Sequence, residues 1–284
     1  MTLAESVAPQ SPAGHEDILV TGGGDGVLTI TFNRPAQRNA MTAAMEQRFL
    51  AALRAAEQDD SVRVVVLTGA AGAFCAGADL AGLEAVAGHD LTGSESEQPL
   101  APAANPLADT PAYPLTFRKP LIAAVNGAAI GLGFSLAVYA DVRFAAPDAK
   151  IAAAFPRRGL IAEYGTAWLL PRIIGRANAL DLLLSGRTIL GDEAHRLGLV
   201  QYLHPADEVL DAALAYAREL AVNSSPTSMA IIKEQVNLDG SRDLEPAVLD
   251  SLVRMLESFA RPDLAEGVAA HMQRRPPAFA PWRP

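Results

Sequence analysis

The chain has 284 residues, half of them hydrophobic and 19% charged, which excludes a wholly disordered protein and suffices for one large domain with an appendage. With 32 acids against 23 bases the net charge is −9, and the bases form no run that would track a nucleic-acid backbone. Only Lys119, Lys150 and Lys233 are lysines, and the arginine majority suits a small phosphorylated ligand through its planar fork of donors.

The first 17 residues mix acids and prolines where a secretory signal needs a basic start and an apolar run, so they read as a flexible tail. The glycines at 22, 23, 24 and 26 then turn the chain into an alternating strand over 27–32. A helix with Thr42 as N-cap is predicted over 42–59, and a buried strand over 63–68. Glycines at 69, 72 and 77 lead into a helix from Ala78. The polar, proline-bearing segment 88–116 is long enough to be a mobile cover over a binding site. The same grammar recurs: an apolar strand over 121–125, glycines at 127, 131 and 133, and a helix over 134–139. A strand over 141–146, helices over 166–174 and 177–184, a short helix over 192–197 and a strand over 199–203 complete an α/β body. Beyond it only helices are plausible, over 207–223, 226–236, 244–259 and 263–272. The expected organisation is a tail (1–17), a core (18–203) and a helical C-terminal region (204–284). The stripe Leu210, Ala213, Leu214, Ala217 reads as an apolar face surplus to the body, suited to self-association.

Cys75 is the single cysteine, so no intrachain disulfide forms and a reducing, cytoplasmic setting is expected. The most apolar stretch, 121–140, is broken by Asn126 and three glycines, which argues against a membrane span. His15, His89, His195, His204 and His271 are too dispersed to suggest a metal centre.

Each glycine turn lies between an apolar strand and a helix start, where the first backbone N–H groups lack intrahelical partners. Two such donors aimed at one oxygen make an oxyanion hole. On these turns the sequence resembles the crotonase, or enoyl-CoA hydratase/isomerase, superfamily: AFCAGADL (73–80) and KPLIAAVNGAAIGLGFSLAVYAD (119–141) are similar to its two signatures. NRPAQRNAMT (33–42), LLPRIIG, LLLSGR and EAHRLGLV extend the likeness over 27–203. The resemblance implies a spiral of ββα units with a helical trimerisation region, acyl-CoA thioesters as substrates, and a homotrimer or dimer of trimers. It implies no permanently bound cofactor, coenzyme A arriving as part of the substrate.

By matching motifs the oxyanion donors would be the N–H groups of Ala78 and Leu132, in turns made by Ala76, Gly77, Asp79, Gly131 and Gly133. The two glutamates that the family's hydratases use map to Ser135 and Phe155, which disfavours hydration. Glu163 stands where some of the superfamily's isomerases carry an acid, so a proton-shuttling isomerase is favoured over a hydratase. Tyr164 and Trp168 are candidates for an acyl pocket, and Arg34 and Arg38 for the phosphates of coenzyme A. Two other classes stay open. Gly133-Phe134-Ser135-Leu136-Ala137 nearly satisfies a G-x-S-x-G nucleophile elbow, with Asp192, His195, His204 and His271 as partners for a serine thioesterase. Loss of both glutamates also fits a non-catalytic acyl-CoA binder. A dinucleotide site at Gly131-Leu132-Gly133 lacks its third glycine.

Overall fold

In the computed structural model, residues 16–88 and 105–282 are described. The chain opens with a hairpin of β1 (Ile18–Gly22) and β2 (Val27–Phe32), paired antiparallel across the glycine-rich turn. Helix α1 (Ala43–Gln58) follows, its first turn capped by Thr42, whose hydroxyl accepts the Met45 N–H at 3.2 Å.

Three rounds of one unit come next. Each has a longer apolar strand, a three-residue strand and a helix: β3 (Val64–Gly69), β4 (Ala73–Cys75), α2 (Leu80–Val86); β5 (Leu121–Val125), β6 (Ala128–Ile130), α3 (Leu132–Tyr139); β7 (Val142–Ala145), β8 (Lys150–Ala152), α4 (Thr166–Ser185). The longer strands extend a six-stranded sheet in the order β1-β2-β3-β5-β7-β10, and the short ones a second sheet in the order β4-β6-β8-β9. Here β9 is Ile189–Leu190 and β10 is Tyr202–Leu203, flanking α5 (Gly191–Arg196). Every round therefore adds one parallel strand to each sheet, the ββα spiral expected from the resemblance. The separate helices expected over 166–174 and 177–184 are the two arms of α4, which bends at Gly175 (φ 76°, ψ 156°).

Strands β3 and β5 are buried along their whole length, covered from both faces. Phe32 packs edge-on against Phe49 of α1 and Phe74 of β4, at ring separations of 5.5 and 5.3 Å, which joins the two sheets and α1 in one core. The other face of the six-stranded sheet is covered by α6 (Val209–Asn223). This corrects one expectation. Ala213 and Ala217 are fully buried against that sheet and Leu210 and Leu214 are half-buried beside them, so the stripe is consumed by the body.

The exposed apolar surface lies further on, along α7 (Pro226–Asp239), α8 (Leu244–Phe259) and α9 (Pro262–Gln273). Helix α8 buries no residue, and Leu249, Leu252, Val253, Leu256 and Phe259 stand in solvent.

Part of the expected cover segment, 89–104, lies outside the described residues. Its second half is strapped to α1: the Tyr113 hydroxyl donates to Glu57 Oε2 at 2.5 Å, and Arg54 Nη1 donates to the Ala108 carbonyl at 2.7 Å. Tyr113 and Phe117 belong to the core.

Candidate active site

The two glycine turns meet at the ends of β4 and β6. After β4, Met41 N–H donates to the Gly77 carbonyl at 2.7 Å and Asp79 N–H to the Met41 carbonyl at 2.8 Å, tying the chain ahead of α1 to the first turn. The Ala78 N–H between them finds no acceptor among the described residues. After β6, Gly131 N–H donates to the Ala152 carbonyl at 2.9 Å, and the following residue, Leu132, opens α3 with its N–H likewise unpaired.

The turns approach so closely that side chains are excluded. A Cβ on Gly77, whose φ is +100°, would lie 2.7 Å from the Ile130 carbonyl oxygen and 3.6 Å from Leu132 N. One on Gly133 would lie 2.1 Å from the Cys75 carbonyl oxygen, so α3 reaches β4 only because that position is glycine.

Both turns open on one cleft of about 390 Å³, a size suited to a small-molecule site. Among the sequence-predicted residues, Ala76, Gly77, Ala78, Asp79, Gly131, Leu132, Phe155 and Glu163 line it together. Glu163 is half-buried, and its carboxylate has no hydrogen bond or ion pair among the described residues; burial alone pushes its pKa above the ordinary carboxylate value. Asp79 caps α2 by accepting the Ala81 N–H at 3.2 Å and takes an ion pair from Arg34 at 3.0 Å. Two unpaired N–H donors and one uncommitted carboxylate in a cleft form a set that can hold an oxygen anion and move a proton.

Six predicted residues stand elsewhere. Arg34 is spent on Asp79 and on the Ala40 carbonyl at 2.5 Å, and Arg38 is exposed outside the lining. Gly133 and Ser135 sit beneath the cleft within α3; Ser135 is 1% exposed, with its Oγ 2.9 Å from Thr166 Oγ1. Its hydroxyl is buried against Thr166, with no hydrogen bond to a histidine among the described residues, which disfavours a serine nucleophile there. Tyr164 and Trp168 are 45% and 44% exposed and lie outside the lining, and Trp168 carries the Arg172 guanidinium over its ring at 3.8 Å.

The sequence reading missed Gln37, Ala40, Leu80, Ala81, Leu83, Ala153, Arg158 and Leu160, which complete the lining. The i, i+3 pair Leu80 and Leu83 was the available signal, on the helix that the first turn opens. Cys75 is a packed thiol, its pKa pushed up to about 12 by burial. No cluster of metal-ligating side chains exists among the described residues, and no helix among them is long and apolar enough to cross a membrane.

Comparison with known proteins agrees with this geometry: residues 22–281 match the enoyl-CoA hydratase/isomerase family. The chain belongs to that family. A 1,2-epoxyphenylacetyl-CoA isomerase of Escherichia coli is 35% identical over 262 residues, 89% of this chain and 95% of that protein. A probable enoyl-CoA hydratase of Rhodobacter capsulatus is 37% identical over 258 residues, 90% and 95% of the two chains. In structure, a probable enoyl-CoA hydratase/isomerase from Mycobacterium abscessus superposes with a TM-score of 0.81 at 33% identity, covering 93% of this chain and 99% of its own. As an enoyl-CoA hydratase/isomerase family member the protein is an acyl-CoA enzyme with the crotonase fold. Relatives carry both names, so membership alone leaves the reaction to be argued from the site.

Proposed function

We propose that the protein shifts a double bond in an enoyl-CoA thioester, with Glu163 moving one proton between C2 and C4. The observation that carries this reading is the cleft's content: two unpaired N–H groups at Ala78 and Leu132 and a single uncommitted carboxylate, with Ser135 and Phe155 at the two positions where hydratases carry glutamates.

The thioester oxygen accepts from both N–H groups. The Glu163 carboxylate removes a proton from C2 of a 3-enoyl thioester, and the C–H electron pair moves into the carbonyl, leaving a dienolate whose oxygen charge the donors stabilise. Carbonyl re-formation moves the double bond to C2–C3 as C4 takes the proton back from Glu163. Atoms and electrons balance without a co-reactant. The raised pKa of Glu163 suits a group that must both accept and return a proton.

Incubating the protein with 3-hexenoyl-CoA and with 2-hexenoyl-CoA, and following products by mass spectrometry, tests the reading. Conversion of the first to its conjugated isomer without mass gain supports it; rapid gain of water by the second without isomerisation refutes it in favour of a hydratase. Release of free coenzyme A indicates a thioesterase, and binding without turnover a passive acyl-CoA binder.

We further propose that the protein works as a homotrimer or dimer of trimers. The support is the apolar face of α8, which a soluble monomer would leave as an unusually large exposed patch.

A further inference from the structure

This inference rests on the role proposed for Glu163 and concerns what holds that carboxylate in the cleft. Glu163, Tyr164, Gly165 and Thr166 form a tight turn, closed by the Thr166 N–H donating to the Glu163 carbonyl at 3.0 Å. Both central residues have positive φ, 49° at Tyr164 and 79° at Gly165. This is the pattern of a type I′ turn, and a tyrosine is strained in it. Such a turn persists where its surroundings over-determine it.

The side-chain hydrogen bonds that hold the turn come from α3. Its last residue, Tyr139, is 3% exposed and donates its hydroxyl to the Tyr164 carbonyl at 2.7 Å. One turn back along the helix, Ser135 meets the fully buried Thr166 hydroxyl at 2.9 Å, immediately after the turn. Burial raises the pKa of the Tyr139 phenol while the neighbouring Thr166 and Ser135 hydroxyls oppose the shift, so it remains a protonated donor at neutral pH. The far end of the same helix is Leu132, whose N–H opens on the cleft. Eight residues of α-helix span only about 12 Å. The C-terminus of α3 is clamped as well: Arg143, buried and with its pKa pushed down to about 10 by that burial, donates to the Val138 carbonyl at 3.2 Å and to the carbonyl of Ala140.

We propose that Tyr139, backed by Ser135 and Thr166, is a positioning residue that locks the 163–166 turn and fixes the Glu163 carboxylate in register with the Leu132 N–H at the other end of α3. The position occupied by a catalytic glutamate in hydratases thus serves, through Ser135, to anchor the acid supplied from the next unit.

Tyr139→Phe deletes one hydroxyl and keeps the ring. With 3-hexenoyl-CoA, kcat is expected to fall about 10–100-fold, the scale set by a sub-ångström to ångström displacement of a catalytic group, with KM within about twofold. The acid limb of kcat/KM should move to lower pH as the freed carboxylate gains hydration. In a Glu163→Gln background the change should add no further loss. A lower melting temperature with unchanged kcat and an unmoved pH profile overturns the proposal. Should Tyr139→Phe not fold, the pair Thr166→Ser and Thr166→Val decides: turnover and pH profile kept by Ser and lost by Val support positioning, and a wild-type Val variant overturns it. Full turnover in Glu163→Gln alone sinks the parent reading. Loss there beside a wild-type Tyr139→Phe sinks only this one.

Discussion

Replacing Glu163 by glutamine removes the proton acceptor and keeps the shape of the side chain. Among the described residues that line the cleft, the ionisable side chains are Asp79, Arg158 and Glu163. Asp79 is held in an ion pair by Arg34 at 3.0 Å, and an arginine accepts no proton at neutral pH, so no other side chain of the lining substitutes for the lost base. Turnover of 3-hexenoyl-CoA should therefore fall by about 10²–10⁴, the usual worth of general acid–base catalysis, or about 3–5 kcal/mol of barrier. The oxyanion donors are backbone groups and stay in place, so acyl-CoA affinity by isothermal titration should change little. The pH dependence has a definite sign. Burial raises the folded-state pKa of Glu163 above its unfolded value, so its stabilising contribution is fully present below the unfolded pKa and is lost as pH rises through the folded pKa. The ionised carboxylate thus costs stability at neutral pH, and Glu163→Gln should melt at or above the wild-type temperature there, while wild-type kcat/KM declines as pH falls through the raised pKa. Wild-type turnover in the variant refutes the assignment. A lower melting temperature at neutral pH refutes the argument that its carboxylate is desolvated and unpaired.

Gly77→Ala should be worse than a typical loop substitution, because the added Cβ meets the Ile130 carbonyl at 2.7 Å on a backbone with φ +100°. Parting the two turns should cost about 10²–10³ in kcat, the loss seen when one oxyanion donor is removed, and should lower the melting temperature; unchanged kinetics would show that the turns do not act as a pair. Leu252→Asp with Leu256→Asp on the exposed face of α8 should reduce a trimeric mass to that of a monomer in light scattering, and a monomeric wild type at micromolar concentration would contradict the assembly. Cys75, fully buried with its pKa pushed up to about 12, should resist iodoacetamide at pH 8 in the native protein and react on unfolding; native reactivity would mean that β4 opens.

Long elements were legible because period and composition agree in them. The six residues of β2 and the five of β5 were placed within their observed bounds, and the N-cap of α1 was identified from Thr42 alone. The second sheet was not legible. Strands β4, β6 and β8 have three residues each, mostly small, too few for alternation to register, and they pair because the longer strands deliver them side by side. At the site, motif resemblance located both turns, since their chemistry is backbone chemistry set by the positions of glycines. Side-chain assignments in the same segments fared differently. Which way Tyr164 and Trp168 face depends on a turn with two positive φ values, and Arg34 is drawn to Asp79 across a contact of 45 residues in sequence. Neither follows from local pattern. The apolar stripe of α6 misled because a helix lying on a sheet and a helix awaiting a partner show the same periodicity.

The replacement of both hydratase glutamates bears on water as well as on protons. A water molecule held for attack on a double bond needs two to four polar partners. On the reading proposed here, the N–H groups of Ala78 and Leu132 are occupied by the thioester oxygen, and Phe155, 3% exposed, presents a ring where a second carboxylate would accept a hydrogen bond. Ser135 supplies no substitute, because its hydroxyl faces Thr166 inside the protein. Among the described residues of the lining, Glu163 is then the one carboxylate left uncommitted to fix and activate a water, where the hydratase pattern uses two. Proton transfer has no such requirement: the donor and acceptor carbons are both in the bound acyl group, and a single carboxylate serves them in turn. Keeping the oxyanion turns while losing the pair of carboxylates that would hold and activate a water therefore favours moving a double bond over adding to it.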